Sequence, residues 1–244
     1  MKQSISDRLE NKRYPRAIVW DLDGTLVDSV GDLGSALNDV LRQHGLAPRS
    51  ADAVRGMIGD GVGELLRRGF AAAGRPLAQA EVPPLRRDFL AVYGRCATRE
   101  TRPMPGAAAV LAALSAEGWR HGVCTNKPTA IARDILEALE MSGEIDVVVG
   151  GDDSLPLKPD PAPVRACLEA LDVSPARALM VGDSLNDVAA GRQAGVPVIF
   201  ARYGYDHVPG GEAAPAGLAA SVDALEEVPA IARRLVDAGD RSHR

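Results

Sequence analysis

Asp21 and Asp23 stand two residues apart directly after an apolar run, Ala17 to Trp20, and are followed by Gly24 and Thr25. Three further apolar runs end in residues of the same kind. Gly122 to Cys124 leads into Thr125-Asn126-Lys127, Ile145 to Val149 into Gly150 to Asp153 and then Lys158-Pro159, and Ala178 to Val181 into Gly182-Asp183-Ser184-Leu185-Asn186-Asp187. If these runs are parallel strands, the residues behind them share one sheet edge, which is where open α/β sheets hold their ligands. Asp21, Asp23, Asp183 and Asp187 would then repel one another unless a cation sat among them. A few hard oxygen donors suit Mg2+, which keeps several waters and leaves room for a phosphate. Taken singly, Asp23-Gly24 also reads as a turn, and Ser184 or Asp183 as a helix cap followed by an acid in the first turn. The shared edge is what favours chemistry over these local readings. Thr125 could cap a helix starting at Pro128, while Asn126 and the neighbouring amides equally suit a phosphate oxygen. Only Lys2, Lys12, Lys127 and Lys158 of the 28 basic residues are lysines. Two of them occupy these loops, where a compact charge suits a phosphate.

The elements that must position these residues follow from periodicity. Short β-branched runs, with Val198 to Ala201 as a fifth, alternate with segments of helical period at Ala107 to Ala116, Ala130 to Glu140, Val164 to Leu171 and Asp187 to Ala194. That alternation predicts an α/β fold with a doubly wound parallel sheet, a Rossmann-like core. A last helix is predicted over Val222 to Ala238, with Leu225, Val228, Ile231, Leu235 and Val236 on one face. About 100 residues separate Trp20 from Gly122, whereas a strand-helix-strand unit needs roughly 30. The surplus carries helical stripes at Val30, Leu33, Leu37, Val40 and Leu41, at Met57, Ile58, Leu65 and Leu66, and at Leu85, Phe89, Val92 and Tyr93. A small all-helical cap domain is therefore predicted over residues 28–102, inserted into a core made of 1–27 and 103–244. Gly59, Gly61 and Gly63 follow a helix rather than a strand, so they read as a flexible turn facing the site and not as a dinucleotide loop.

Composition removes other classes. Across 244 residues, 33 acidic and 28 basic side chains give a net charge of −5, and no basic run exceeds two residues. A nucleic-acid partner is therefore not expected. No stretch approaches the roughly 20 apolar residues of a membrane span, and Met1 to Arg16 carries charge without the apolar run of a signal peptide. Cys96, Cys124 and Cys167 form no C-x-x-C pair, so neither a disulfide framework nor a zinc site is expected, and a cytoplasmic location fits. His44, His121 and His207 show no metal-ligand spacing and are expected to be structural or exposed. Nothing in the pattern distinguishes a monomer from a homodimer.

Asp21-Leu22-Asp23-Gly24-Thr25, Thr125, Lys158-Pro159 and Gly182-Asp183 with Asp187 resemble, in order and spacing, the four motifs of the haloacid dehalogenase-like phosphohydrolases. Trp20 stands where that family usually has Phe. The resemblance implies that Asp21 attacks phosphorus to give an aspartyl-phosphate, while Asp23 protonates the leaving oxygen and then activates water. It implies Mg2+ held by Asp21, Asp183 and the backbone carbonyl of Asp23, with Asp187 reached partly through water, and a phosphate bound by Thr125, Asn126 and Lys158. Ile58-Gly59-Asp60-Gly61, Thr125 to Thr129, Gly150 to Asp153 and Tyr203-Gly204-Tyr205 resemble the bacterial branch that hydrolyses 2-phosphoglycolate. That implies a small phosphorylated acid whose carboxylate would meet Gly59, Gly61, Arg67 or Arg68 of the cap. A phosphatase or phosphomutase of another small metabolite, such as a sugar phosphate, would keep the same motifs. A receiver-type phospho-Asp switch gathers similar residues but normally lacks a helical insert.

Overall fold

The structure is a computed structural model that describes residues 15–152, 154–205 and 217–241. Its sheet is built from strands whose side chains are mostly buried on both faces, as parallel strands covered by helices must be. In chain order these are β1 (Arg16–Trp20), β4 (Trp119–Cys124), β5 (Val147–Val149), β6 (Ala178–Gly182), β7 (Val198–Ala201) and β8 (Ala220–Val222), and they pair in the spatial order β5-β4-β1-β6-β7-β8. All the pairings are parallel. Trp20 is opposite Val123 on one side and Val181 on the other. The register therefore brings the residues just beyond β1, β4 and β6 to one edge.

Helices cover both faces. Ile18 and Trp20 of β1 belong to a cluster with Leu111, Ile135 and Val228, from α5 (Ala107–Ala116), α6 (Thr129–Ala138) and α9 (Val228–Arg241). Ala17 and Val19 point the other way, into a cluster with Val164, Leu168 and Val188 of α7 (Ala162–Leu171) and α8 (Leu185–Gln193). Alternate residues of one strand thus feed two cores, the doubly wound arrangement.

The insert is a helical cap of α1 (Val30–Gln43), α2 (Ala51–Arg55), α3 (Val62–Ala72) and α4 (Val82–Tyr93). Leu37, Leu41, Phe70, Phe89 and Tyr93 are fully buried among them. Gly69 lets α3 approach α1, since a Cβ there would lie 2.8 Å from Leu37 Cδ1. The chain enters and leaves this layer through a short antiparallel pair, β2 (Val27–Asp28) with β3 (Arg102–Pro103). Asp32, buried in the first turn of α1, accepts bonds from the Glu100 and Thr101 amides and the Thr101 hydroxyl, pinning the returning strand to the departing helix.

Several boundaries differ from the periodicity: strand β4, for example, starts at Trp119 rather than Gly122. Val222 ends strand β8 rather than starting the last helix, which begins at Val228. A three-residue edge strand has no repeat to read, and it is the neighbouring β7 that holds it, with the Arg202 amide donating to Val222 O. Strand β5 likewise starts at Val147, because the Asp146 side chain and amide turn back to the backbone of His121. The N-terminal residues 1–14 and His207 lie outside the described residues. Among the described residues no helix is long and apolar enough to cross a membrane.

Candidate active site

Lys158 organises the sheet edge. Its ammonium donates to Asp21 Oδ1, Asp187 Oδ1 and the Cys124 carbonyl, each at 2.6 Å, so its three N–H groups are all spent. Asp21, Asp183 and Asp187 form one group whose oxygens lie within 4.8 Å of one another. Asp183 Oδ2 accepts from the Tyr205 amide at 2.6 Å. Asp187 Oδ2 accepts from the Ser184 amide at 3.0 Å and the Ser184 hydroxyl at 2.6 Å, and Ser184 in turn caps α8. The cap and the acid predicted from the motif are thus one device.

These groups are almost fully shielded, and their electrostatics follow from that. Burial, then the charge of Asp187, pushes the Asp21 carboxyl up to about 7 even though Lys158 pulls it down. Burial, then Asp21 and Asp187, raises Asp183 well above the carboxylate range. Burial works against the Lys158 charge, but Asp187 and Asp21 outweigh it and hold the ammonium well above its ordinary value. Three carboxylates share one ammonium, so the cluster lacks positive charge unless protons or a cation supply it. A compact set of hard carboxylate oxygens fits a divalent cation such as Mg2+. The Asp23 carboxylate is not part of this cluster.

Asp23 faces a second lysine instead. Its Oδ1 is 2.8 Å from Lys127 Nζ and accepts a short bond from the Ser29 hydroxyl. Lys127 Nζ also donates to the Tyr93 hydroxyl at 2.5 Å, a contact between core and cap. Ser29 is held in turn, its amide donating to Tyr205 Oη at 2.7 Å. Burial pushes the Tyr93 phenol up to about 12. Thr125 Oγ1 accepts from the Lys127 amide at 3.1 Å, which leaves the Thr125 hydroxyl hydrogen to donate.

Asn126, expected to bind phosphate, lines the cavity described below, and its side-chain amide also binds the protein's own loops. Its Nδ2 donates to Gly59 O at 2.9 Å and Lys158 O at 3.0 Å, and its Oδ1 accepts from the Lys158 amide at 2.8 Å. The whole side-chain amide ties the cap turn and the Lys158 loop to the end of β4. Pro128 is the cap of α6 rather than its first residue, and Thr125 does not cap that helix.

Asp21, Asp23, Asp183, Thr125, Asn126, Lys127, Lys158 and Tyr93, with Gly59 and Gly61, line a cavity of about 50 Å3 walled by Leu33, Ile58, Val62 and Leu65. Arg67 and Arg68 do not line it. Arg67 pairs with Glu64 at 3.1 Å and with Gln79. Arg68 pairs with Asp60, whose other oxygen accepts from Asn186 of the core at 2.6 Å. Both arginines pair within the cap and lie outside the lining of this cavity, which spacing along a helix could not reveal.

Two glycines are required by close approach. A Cβ on Gly24, which has φ +87°, would lie 2.2 Å from Asp183 Oδ2, and one on Gly204 would lie 2.2 Å from Asp183 Cβ. Ser29, Tyr93 and Tyr205 were not foreseen as parts of the site. Tyr93 reads as one more residue of a core stripe, Tyr205 only as part of the Tyr203-Gly204-Tyr205 pattern with no role attached, and Ser29 carries no local signal.

A parallel sheet with this acid and lysine edge, closed by an inserted helical cap, defines a hydrolase of the haloacid dehalogenase type. The model of the haloacid dehalogenase-like hydrolases matches residues 15–195, and the chain belongs to that family. The phosphoglycolate phosphatases of Rhodospirillum rubrum and Caulobacter vibrioides are 48% and 43% identical to it. These alignments cover 80% and 79% of this chain and 83% and 81% of theirs. The crystal structure of a predicted phosphoglycolate phosphatase from Haemophilus somnus superposes with a TM-score of 0.79 at 31% identity, covering 88% of this chain and 97% of that one. The chain is accordingly an enzyme, a phosphoric monoester hydrolase, and membership in this family sets the receiver-type reading aside.

Proposed function

We propose that the enzyme hydrolyses 2-phosphoglycolate to glycolate and phosphate through an aspartyl-phosphate on Asp21. The observation that carries this reading is the pairing of Asp21 with Lys158 at the floor of a small capped cavity, beside a second carboxyl, Asp23, with separate partners. An Asp21 oxygen attacks phosphorus, and the bond from phosphorus to the glycolate oxygen breaks. Asp23 delivers a proton to that oxygen. Asp23 then takes a proton from water as the water attacks phosphorus, and the bond to Asp21 breaks. Lys158 and Thr125 stabilise the charge on the phosphoryl oxygens. Asp21 and Asp183, with the main chain of Asp23 and with Asp187 behind them, would hold Mg2+. When bound, that ion supplies charge neutralisation at the carboxylates and phosphoryl oxygens.

The cavity supports a small substrate. At roughly 10–15 Å3 per water, about 50 Å3 holds a few waters, so a macromolecular phosphoester would not be enclosed. We also propose residues 1–27 with 103–244 as core and 28–102 as cap, a division that lets the cap exclude water around the phosphate.

The test is kcat/KM for phosphate release from 2-phosphoglycolate, several sugar phosphates and p-nitrophenyl phosphate with Mg2+. 2-Phosphoglycolate is expected to lead. A sugar phosphate ahead by more than about tenfold, about 1.4 kcal/mol of transition-state preference, would overturn the substrate and leave the phosphatase chemistry standing.

A further inference from the structure

We propose that Lys127 and Tyr93 form the subsite for a carboxylate carried on the carbon next to the leaving oxygen, which makes phosphorylated 2-hydroxy acids the favoured substrate class. The inference rests on the reading above, in which Asp23 serves the leaving oxygen.

The first support is an inventory of donors. Lys158 spends all three N–H groups on Asp21, Asp187 and Cys124 O. Asn126 spends its amide on Gly59 and Lys158. Lys127 uses two of its three N–H groups, on Asp23 and Tyr93. The Tyr93 oxygen accepts from Lys127, and its own hydrogen is committed to no acceptor among the described residues. Of the two lysines that line the cavity, Lys127 is the one with a donor to offer, and Tyr93 supplies a second beside it.

The second support is position. Lys127 Nζ lies 2.8 Å from Oδ1 of Asp23, the residue that would give the leaving oxygen its proton. In an ester of a 2-hydroxy acid the carboxylate sits on the carbon bearing that oxygen. A donor adjacent to Asp23 is therefore within reach of it, whereas Arg67 and Arg68 are occupied elsewhere. Beyond these, the apolar side chains of Leu33, Ile58, Val62 and Leu65 offer a carboxylate nothing, and the cap adds only the backbone amides of Gly59 and Gly61. A buried cation with a spare donor between apolar walls discriminates strongly against ligands that lack an anion there.

The experiment compares kcat/KM for 2-phosphoglycolate and for ethyl phosphate, which keeps the two-carbon chain without the carboxylate, in the wild type, Lys127→Met and Tyr93→Phe. The preference for 2-phosphoglycolate is expected to fall about 10- to 100-fold in Lys127→Met and several-fold in Tyr93→Phe, the scale of hydrogen bonds to charged groups. Tyr93→Phe keeps the buried ring, so it decides the matter if Lys127→Met does not fold. If both substrates lose rate in the same proportion, Lys127 only positions Asp23 and the inference is overturned. A wild-type enzyme with no preference between the two substrates overturns the substrate reading itself, and that result is visible before any variant is made.

Discussion

Asn126 shows how the side chain of a residue lining the site can also hold the protein's own loops together. Its amide makes three bonds to the backbone of two other loops. Asn126→Ala is expected to lower stability by about 1–3 kcal/mol, because the buried partners lose their bonds, and to lower kcat/KM as the Lys158 loop loosens. Urea unfolding and phosphate release measure the two effects. His121 gives a second residue-level expectation. Its Nδ1 accepts the Trp20 indole N–H at 3.0 Å, which gives the unusual Trp at position 20 a buried partner. Burial pushes His121 down to about 4, against Asp146 and Glu144, which raise it. Between that value and the ordinary 6.5 the unfolded chain binds a proton that the folded chain refuses. The neutral ring's contribution is thus complete above about pH 6.5 and is lost as pH falls toward 4, up to about 3 kcal/mol. Unfolding free energy measured from pH 7 to 4.5 should fall more steeply in the wild type than in His121→Gln; equal slopes would contradict this. The carboxylates and Lys158 were legible because their types are unusual together. The committed amide of Asn126 was not, since its partners lie 67 and 32 positions away.

At the next level, loops rather than helices decide the site. The five apolar runs could be placed because β-branched residues ending in Gly, Asp or Thr have few other readings. Strands β2, β3 and β8 could not, as two or three residues show no period. The turn after β7 is the plainest example. Tyr203-Gly204-Tyr205 is recognisable as a pattern, but its reason emerges only when the Tyr205 amide is seen to hold Asp183 across 22 positions with Gly204 pressed against the same carboxylate. Gly204→Ala is therefore expected to displace Asp183 and weaken Mg2+ binding by about tenfold or more, in the range seen when partners of metal ligands are removed. The concentration of Mg2+ needed for half-maximal turnover measures it, and an unchanged value would refute the packing argument. In the cap, Phe70→Ala should cost about 3–5 kcal/mol, since Phe70 is fully buried in the helical layer.

For the molecule as a whole, the excess of buried carboxylate over ammonium at the sheet edge links folding to cation binding. Mg2+ should raise Tm, by an amount equivalent to about 2.7 kcal/mol at a hundredfold excess over Kd, and the gain should shrink in Asp183→Asn. Ca2+ should also stabilise but support little turnover, because its larger, irregular shell can capture both Asp21 oxygens. The architecture was legible from alternating strand and helix periods and one over-long connection. The closure of the cap onto the core was not, because it depends on single contacts such as Tyr93 with Lys127 and Asp60 with Asn186. All of this chemistry depends on Asp21 carrying the phosphoryl group. The direct measurement is acid quenching of the enzyme during turnover of substrate labelled in its phosphoryl group, followed by mapping of the labelled peptide. Label that is stable to acid, released by hydroxylamine, confined to the peptide containing Asp21 and absent from Asp21→Asn is the expected result. Continued phosphate release with no labelled protein at any quench time, together with turnover retained in Asp21→Asn, would contradict it.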